Sequence, residues 1–209
     1  MIVYSVTEFV LRPLLTVVYR VEIRGGEKVP QSGPCIVASN HDSVLDGFFL
    51  ALSTRRQLRF MSKIELHRVP GVKQFMDGAG CFPVDREGDR GRAVSRGVEL
   101  LERGEAIGIF PQGTCLPCRN RPYRRGAARL ALAAGAPLVP VCLVNTEKTL
   151  QPRTHRMRFP RVTILVGEPI EVERAEPTEE AATELTARLE AAIAELRRPF
   201  GEPDHAWYD

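Results

Sequence analysis

Apolar residues along the chain fall into two patterns. Short apolar-rich runs at 21–23, 35–38, 58–61, 81–84, 106–110, 138–144 and 162–166 are bounded by glycine, proline or polar residues. Runs of that length read as strands. Between them, apolar residues recur every three or four positions, the spacing of one helix face. These stretches cover 42–53, 65–76 with a break at Pro70-Gly71, 90–103, 127–134 and 178–196. In the third, Val94, Val98, Leu100 and Leu101 face inward and Gly104 is the stop; Gly135 ends the fourth. Thr178, followed by Glu179 and Glu180, has the chemistry of an N-cap and an acidic first turn. Strands alternating with helices predict an α/β fold, with a mixed, mostly parallel sheet flanked by helices and preceded by a short N-terminal helical segment.

That segment needs separate treatment. Residues 2–21 are apolar-rich but carry Glu8, Arg12, Pro13 and Arg20. A spanning helix wants about 20 apolar residues with few charges, and no small-residue cleavage site follows a short apolar core as in a secretory signal. Phe9, Val10, Leu14, Leu15, Val17 and Val18 give one or two short helices an apolar face. Two readings stand: a cap on the core, or an anchor lying in a membrane interface with Arg12 and Arg20 at the headgroups. The expected organisation is this helix over 1–21, one α/β domain over 22–200 and a loose tail over 201–209.

Composition narrows the class. The chain has 209 residues, 44% hydrophobic and 26% charged, with a net charge of +3 and a pI near 8.7. The mild basic excess suits an anionic membrane surface or substrate. No array of basic and aromatic residues marks a nucleic-acid module. Five dispersed cysteines do not form an even, dense disulfide framework and imply a reducing compartment. Cys115 and Cys118 form a single C-x-x-C with no histidine at zinc-like spacing, so no metal is expected.

The candidate chemistry starts at His41, where the run ending at Ala38 leads through Ser39-Asn40 into a helical pattern. In open α/β sheets ligands bind at such strand ends. Histidine is the side chain best suited to take a proton near neutral pH, and it works better when a carboxylate holds its other ring nitrogen. Asp46, five positions on, is placed to do so. Alone, a histidine here reads as readily as a helix cap or a core residue. His67, His155 and His205 have no partner by spacing and read as surface residues.

Three further blocks accompany Asn40-His41-Asp42-Ser43-Val44-Leu45-Asp46: Phe82-Pro83-Val84-Asp85-Arg86, then Phe110-Pro111-Gln112-Gly113-Thr114-Cys115, then Pro137-Leu138-Val139-Pro140-Val141. In order and spacing they resemble the glycerolipid acyltransferase family, with its H-x4-D, F-x-x-D-R and F-P-E-G-T-R blocks and its apolar strand around a proline. The resemblance spans about Gly26 to Val166. It implies an O-acyltransferase of the 1-acylglycerol-3-phosphate type, with His41 as general base, Asp46 as its orienting acid, and acyl-CoA or an acyl carrier protein as donor. No cofactor beyond that thioester is implied, nor any covalent enzyme intermediate; no serine, cysteine or lysine here stands beside a base in a nucleophile elbow. Lys63 and Arg86 are implied at the acceptor phosphate, which an arginine fork can hold by two charge-assisted bonds. Gln112, Gly113 and Thr114 are expected at the acceptor too, and the last two offer backbone N–H groups for a developing oxyanion.

Two departures change the picture. Gln112 stands where the family has glutamate, and Cys115 where it has arginine. Gln112 keeps a carbonyl acceptor but loses the charge. Cys115 removes a phosphate-binding cation, for which Arg119, Arg121, Arg124 and Arg125 are the nearby replacements. The expected acceptor is a lysophospholipid-like hydroxyl; the alternative is a non-phospholipid hydroxyl or amine. The expected place is the cytoplasm, peripheral on the inner face of the membrane.

Overall fold

The computed structural model describes residues 7–69, 71–78, 80–84, 90–113, 122–150 and 156–203. A π-helical turn over Thr7–Leu11 leads into α1 (Arg12–Val18) and β1 (Glu22–Arg24). Then follow β2 (Cys35–Ser39), α2 (Asp46–Leu52), β3 (Leu58–Lys63), a 3-10 turn over Ile64–Arg68, α3 (Val72–Gly78) and β4 (Cys81–Val84). The chain continues through α4 (Arg90–Glu102), β5 (Ala106–Ile109), α5 (Gly126–Ala134), β6 (Leu138–Val144), β7 (Thr163–Val166) and α6 (Glu179–Arg197).

The strands form one sheet in the order β1-β7-β6-β2-β5-β3-β4. Only the β6–β7 pair is antiparallel; the others, including β2 with β5 and β2 with β6, are parallel. The expected mixed, mostly parallel α/β architecture is the one found. β2 is central and buried along its whole length, as expected of a parallel strand covered on both faces.

Alternation along β2 separates two cores. Ile36 and Ala38 pack with Leu100 and Leu101 of α4, Leu130 of α5 and Leu185 and Leu189 of α6. Cys35 and Val37 pack with Phe49 and Leu50 of α2, alongside Leu15 and Val18 of α1. Each fully buried aliphatic or aromatic side chain contributes about 1.5–3 kcal/mol. Helix stops follow glycine chemistry: Gly104, at φ +76°, lets Glu105 N–H reach back to the Leu100 carbonyl at 3.1 Å.

This layering places a crevice. The connection leaving β2 runs through α2 on one face, whereas the connection leaving the adjacent β5 runs through α5 on the other. Their carboxyl ends therefore splay apart, and such a switch point is where open α/β sheets hold ligands.

Three local results refine the expectations. The helix expected from residue 42 begins instead at Asp46; the preceding N–H groups of Asp42 and Ser43 are drawn onto the Asp46 carboxylate, which holds residues 41–45 as a turn. Arg12 does not reach out from α1 as a headgroup ligand. It is hydrogen-bonded to the carbonyls of Leu52 and Thr54, at the end of α2, and Arg20 is bonded to the Phe159 carbonyl. On β5, Gly108 sits across from Phe60 of β3, and a Cβ there would lie 2.4 Å from the Phe60 ring. Glycine at 108 thus leaves room for a ring that faces Phe110 at 6.3 Å.

Candidate active site

The site is built on the turn after β2. Asp46, the first residue of α2, is wholly buried, and one of its oxygens, Oδ2, accepts three hydrogen bonds. They come from the N–H of Asp42 at 2.6 Å, the N–H of Ser43 at 2.7 Å and His41 Nδ1 at 3.0 Å. An ionised carboxylate is acceptor-only, so Nδ1 carries the hydrogen in this bond and Nε2 of neutral His41 is the ring's lone-pair nitrogen. The helix N-terminus adds favourable partial charge for the anion.

His41 is held on three further sides. Its ring stacks on Phe110, with centroids 4.1 Å apart and planes 18° from parallel. Its backbone N–H donates to Gln112 Oε1 at 2.6 Å. The preceding Asn40 bridges to β6, accepting from Leu143 N–H at 2.8 Å and donating to the Leu143 carbonyl at 2.9 Å. Ser43 Oγ meets Thr149 Oγ1 at 2.8 Å, beyond the end of β6. The turn is thereby tied to both neighbours of β2.

Among the described residues, two carboxyl groups are buried together at the turn. Asp42 is buried beside Asp46 and receives the Asn40 amide at 2.6 Å. Burial and then the Asp46 charge push its carboxyl up to about 6, against the opposing Asn40 bond and the Arg197 charge. Arg197, from the last turn of α6, donates to the Leu143 carbonyl at 3.1 Å and lies 3.7 Å from buried Glu147. Neither Asp42 nor Arg197 carries a role in the pattern of the blocks; Asp42 sits inside one of them and Arg197 far from all of them.

The remaining expected residues divide. Lys63 is the last residue of β3, paired in register with Val84 of β4. Arg86, Thr114, Cys115, Cys118, Arg119, Arg121, His155 and His205 lie outside the described residues. Gly113 is placed at the site but not as expected: its N–H donates to the Phe110 carbonyl at 2.9 Å, closing the turn, so it is not an open oxyanion donor. Gly113 lies at φ +79°, and Arg124 Nε would be 3.1 Å from a Cβ there. Arg125 and Arg129 are both paired with Glu179. His67 is not a surface residue. Its side chain is 7% exposed, with Nε2 2.6 Å from Ser62 Oγ and Nδ1 3.0 Å from Asp77 Oδ1. The spacing of Ser62 and His67, five apart across a strand end, was the available signal.

The family model described as Acyltransferase matches residues 20–144, which take in β1 to β6 and the whole His41 turn. The chain belongs to the acyltransferase family. Among its relatives is a protein named 1-acyl-sn-glycerol-3-phosphate acyltransferase in Bacillus subtilis, 28% identical over 195 residues that cover 92% of this chain and 96% of the relative. A chloroplastic protein of that name from Brassica napus, BAT2, is 34% identical over 136 residues, 63% of this chain but 39% of the relative. The chain therefore spans well under half of that plant acyltransferase and nearly all of the bacterial one. The crystal structure of the 1-acyl-sn-glycerophosphate (LPA) acyltransferase PlsC from Thermotoga maritima has the same fold, with a TM-score of 0.72 and 22% identity over 96% of this chain and 83% of that one.

The raised carboxyl of Asp42 yields a prediction. A buried acid whose folded pKa lies above its usual 3.8 binds more protons folded than unfolded, so its ionised form opposes folding. That cost is fully present above about pH 6 and fades as pH falls through 6 toward 4. Asp42→Asn, which keeps an acceptor for Asn40, should stabilise the fold at pH 8 by on the order of 2 kcal/mol. The gain should shrink below pH 6. Urea melts across that range check it; a pH-independent difference would contradict the assignment.

Proposed function

We propose that this acyltransferase moves a fatty acyl group from acyl-CoA or an acyl carrier protein to the hydroxyl of a lysophospholipid-like acceptor. The observation that carries the reading is the His41–Asp46 pair: Nδ1 is fixed on a buried carboxylate at 3.0 Å, and Nε2 is the nitrogen assigned as general base. The acceptor hydroxyl gives its proton to Nε2 as its oxygen attacks the thioester carbonyl. A C–O bond forms, the C–S bond breaks, and the proton passes from the imidazolium to the departing thiolate. Asp46 stabilises the imidazolium and stays ionised throughout. A positioned base of this kind is worth about 10²–10⁴-fold in rate.

A phosphate-bearing acceptor is supported by the cations around the third block. Cys115 takes the place of the family's arginine, yet Arg124 lies over the Gly113 turn and has no carboxylate partner among the described residues. With Lys63 and Arg86, assigned by the resemblance, it would restore the charge that Cys115 removes. A neutral acceptor is the second reading. It is favoured by Gln112, whose side-chain carbonyl is already engaged by the His41 N–H and lacks the charge that would bind a glycerol hydroxyl strongly.

We further propose that the enzyme works at a membrane surface, consistent with the expected peripheral place on the inner face. Phe9 and Val17 are 82% and 74% exposed, and Val10 and Leu14 are exposed beside them. Tyr19, at the end of α1, meets exposed Phe159 at 5.5 Å between rings, which extends the apolar surface. Among the described residues no helix is long and apolar enough to cross a membrane. A segment that packs partly buried Leu15 and Val18 on the core and leaves these residues outward has the form of an interfacial anchor as well as a cap.

His41→Ala should lower acyl transfer by at least about 10²-fold while the melting temperature holds; near-normal turnover would overturn the mechanism. In a panel of lysophosphatidate, other lysolipids and neutral alcohols, each with both donors, lysophosphatidate should be preferred. Arg124→Ala should raise its KM about tenfold, the equivalent of one charge-assisted bond, and leave a neutral acceptor unaffected. Preference for the neutral acceptor would decide for the second reading. Phe9→Ser with Val17→Ser should cut sedimentation with anionic vesicles by more than about tenfold, since each side chain contributes about 1.5–3 kcal/mol on burial. Unchanged binding would reduce α1 to a cap.

A further inference from the structure

Ser62, His67 and Asp77 lie in three consecutive elements: the end of β3, the 3-10 turn after it, and α3. Ser62 Oγ is 2.6 Å from His67 Nε2, and His67 Nδ1 is 3.0 Å from Asp77 Oδ1. The order of atoms is that of a serine nucleophile, its base and its orienting acid. The surroundings are different. Ser62 is buried within a strand, and its hydroxyl also lies 3.3 Å from the Phe82 carbonyl of the neighbouring β4. Asp77 is shared with Lys73, one turn back along α3.

Counting hydrogens shows what this chain of bonds does. With His67 neutral, Nδ1–H donates to Asp77 and the Ser62 hydroxyl donates to Nε2. With His67 charged, both ring nitrogens donate, and the freed hydroxyl hydrogen turns to the Phe82 carbonyl. In either state the β3 end stays tied to α3 as well as paired with β4; in the second the Ser62 hydroxyl adds a side-chain bond to β4. The residue after Ser62 is Lys63, in register with Val84 of β4, at the carboxyl edge of the sheet that also carries His41.

We propose that Ser62, His67 and Asp77 form a clasp that fixes the carboxyl ends of β3 and β4, so that His67 is a positioning residue for acceptor binding. The proposal rests on the reading above in which Lys63 helps to hold the acceptor. Without the clasp, only the edge pairing with β4 holds the strand end and the following turn loses its tie to α3, and a charge displaced by 1 Å loses the geometry of a phosphate contact. Because His67 acts on ground-state placement and does not touch the reacting atoms, its removal should act on acceptor KM more than on kcat.

The test uses the full chain with lysophosphatidate varied at saturating acyl donor, then the reverse. Lys63→Ala calibrates the assay and should raise acceptor KM. His67→Ala should raise acceptor KM about tenfold, the worth of about 1.4 kcal/mol, with kcat and donor KM within about twofold. His67→Gln, whose amide reaches the position of Nε2, should recover most of the affinity; His67→Asn, which keeps only the Asp77 contact, should not. If His67→Ala fails to fold, Ser62→Ala removes the same link and should move acceptor KM in the same direction. An unchanged acceptor KM in His67→Ala or Ser62→Ala, beside a raised one in Lys63→Ala, overturns the clasp alone. An unchanged KM in Lys63→Ala overturns the acceptor reading and the clasp with it. An adduct of a fluorophosphonate on Ser62, found by mass spectrometry, also overturns it, since the serine would then be a nucleophile.

Discussion

One oxygen atom organises this structure. Asp46 Oδ2 gathers two backbone N–H groups and one imidazole nitrogen, and each bond does a different task. The backbone bonds wrap residues 41–45 into a turn and postpone the start of α2. The imidazole bond orients His41 and selects its tautomer. An anion without solvent would be costly to bury in an apolar core. Here three donors and a helix N-terminus offset that cost, so the folding of the turn and the orientation of the His41 ring are the same event.

The sheet topology converts that local arrangement into a cleft. β2 and β5 are adjacent, yet the chain leaves them toward opposite faces. The two blocks that follow them therefore face each other across the gap, and the bond from His41 N–H to Gln112 Oε1 at 2.6 Å closes it. Asn40, Arg197 and Leu143 brace the far side through one shared carbonyl. A residue nearly at the end of the long C-terminal helix thus contacts the floor of a site built at the first third of the chain.

Much of this was legible in the sequence, for physical reasons. Buried parallel strands are short, apolar and punctuated by glycine and proline, so their number and order can be read directly. His41 and Asp46 were legible because their interaction is local, and a turn of fixed length joins them. Interactions between distant segments left no such trace. Ser43 with Thr149, Asn40 with Leu143 and Arg197 with Glu147 depend on which strands become neighbours. His67 was misread because a ring bonded at both nitrogens looks, by composition, like any histidine in a polar turn. Gly113 was misread because the same glycine that allows a tight turn also commits its own N–H to closing it.

The Phe110 ring against His41 has a consequence of a different kind. A general base does not distinguish an acceptor hydroxyl from water by chemistry, because both have a proton to give. Selection between them has to come from access to the lone pair. Stacking at 4.1 Å closes one face of the imidazole, Asp46 occupies one nitrogen, and the His41 side chain is left 17% exposed. Gly108 and Phe60 hold the stack in place from behind. Under the proposed transfer, that aromatic wall would bear on yield as distinct from speed: how many thioesters are hydrolysed for each one passed on.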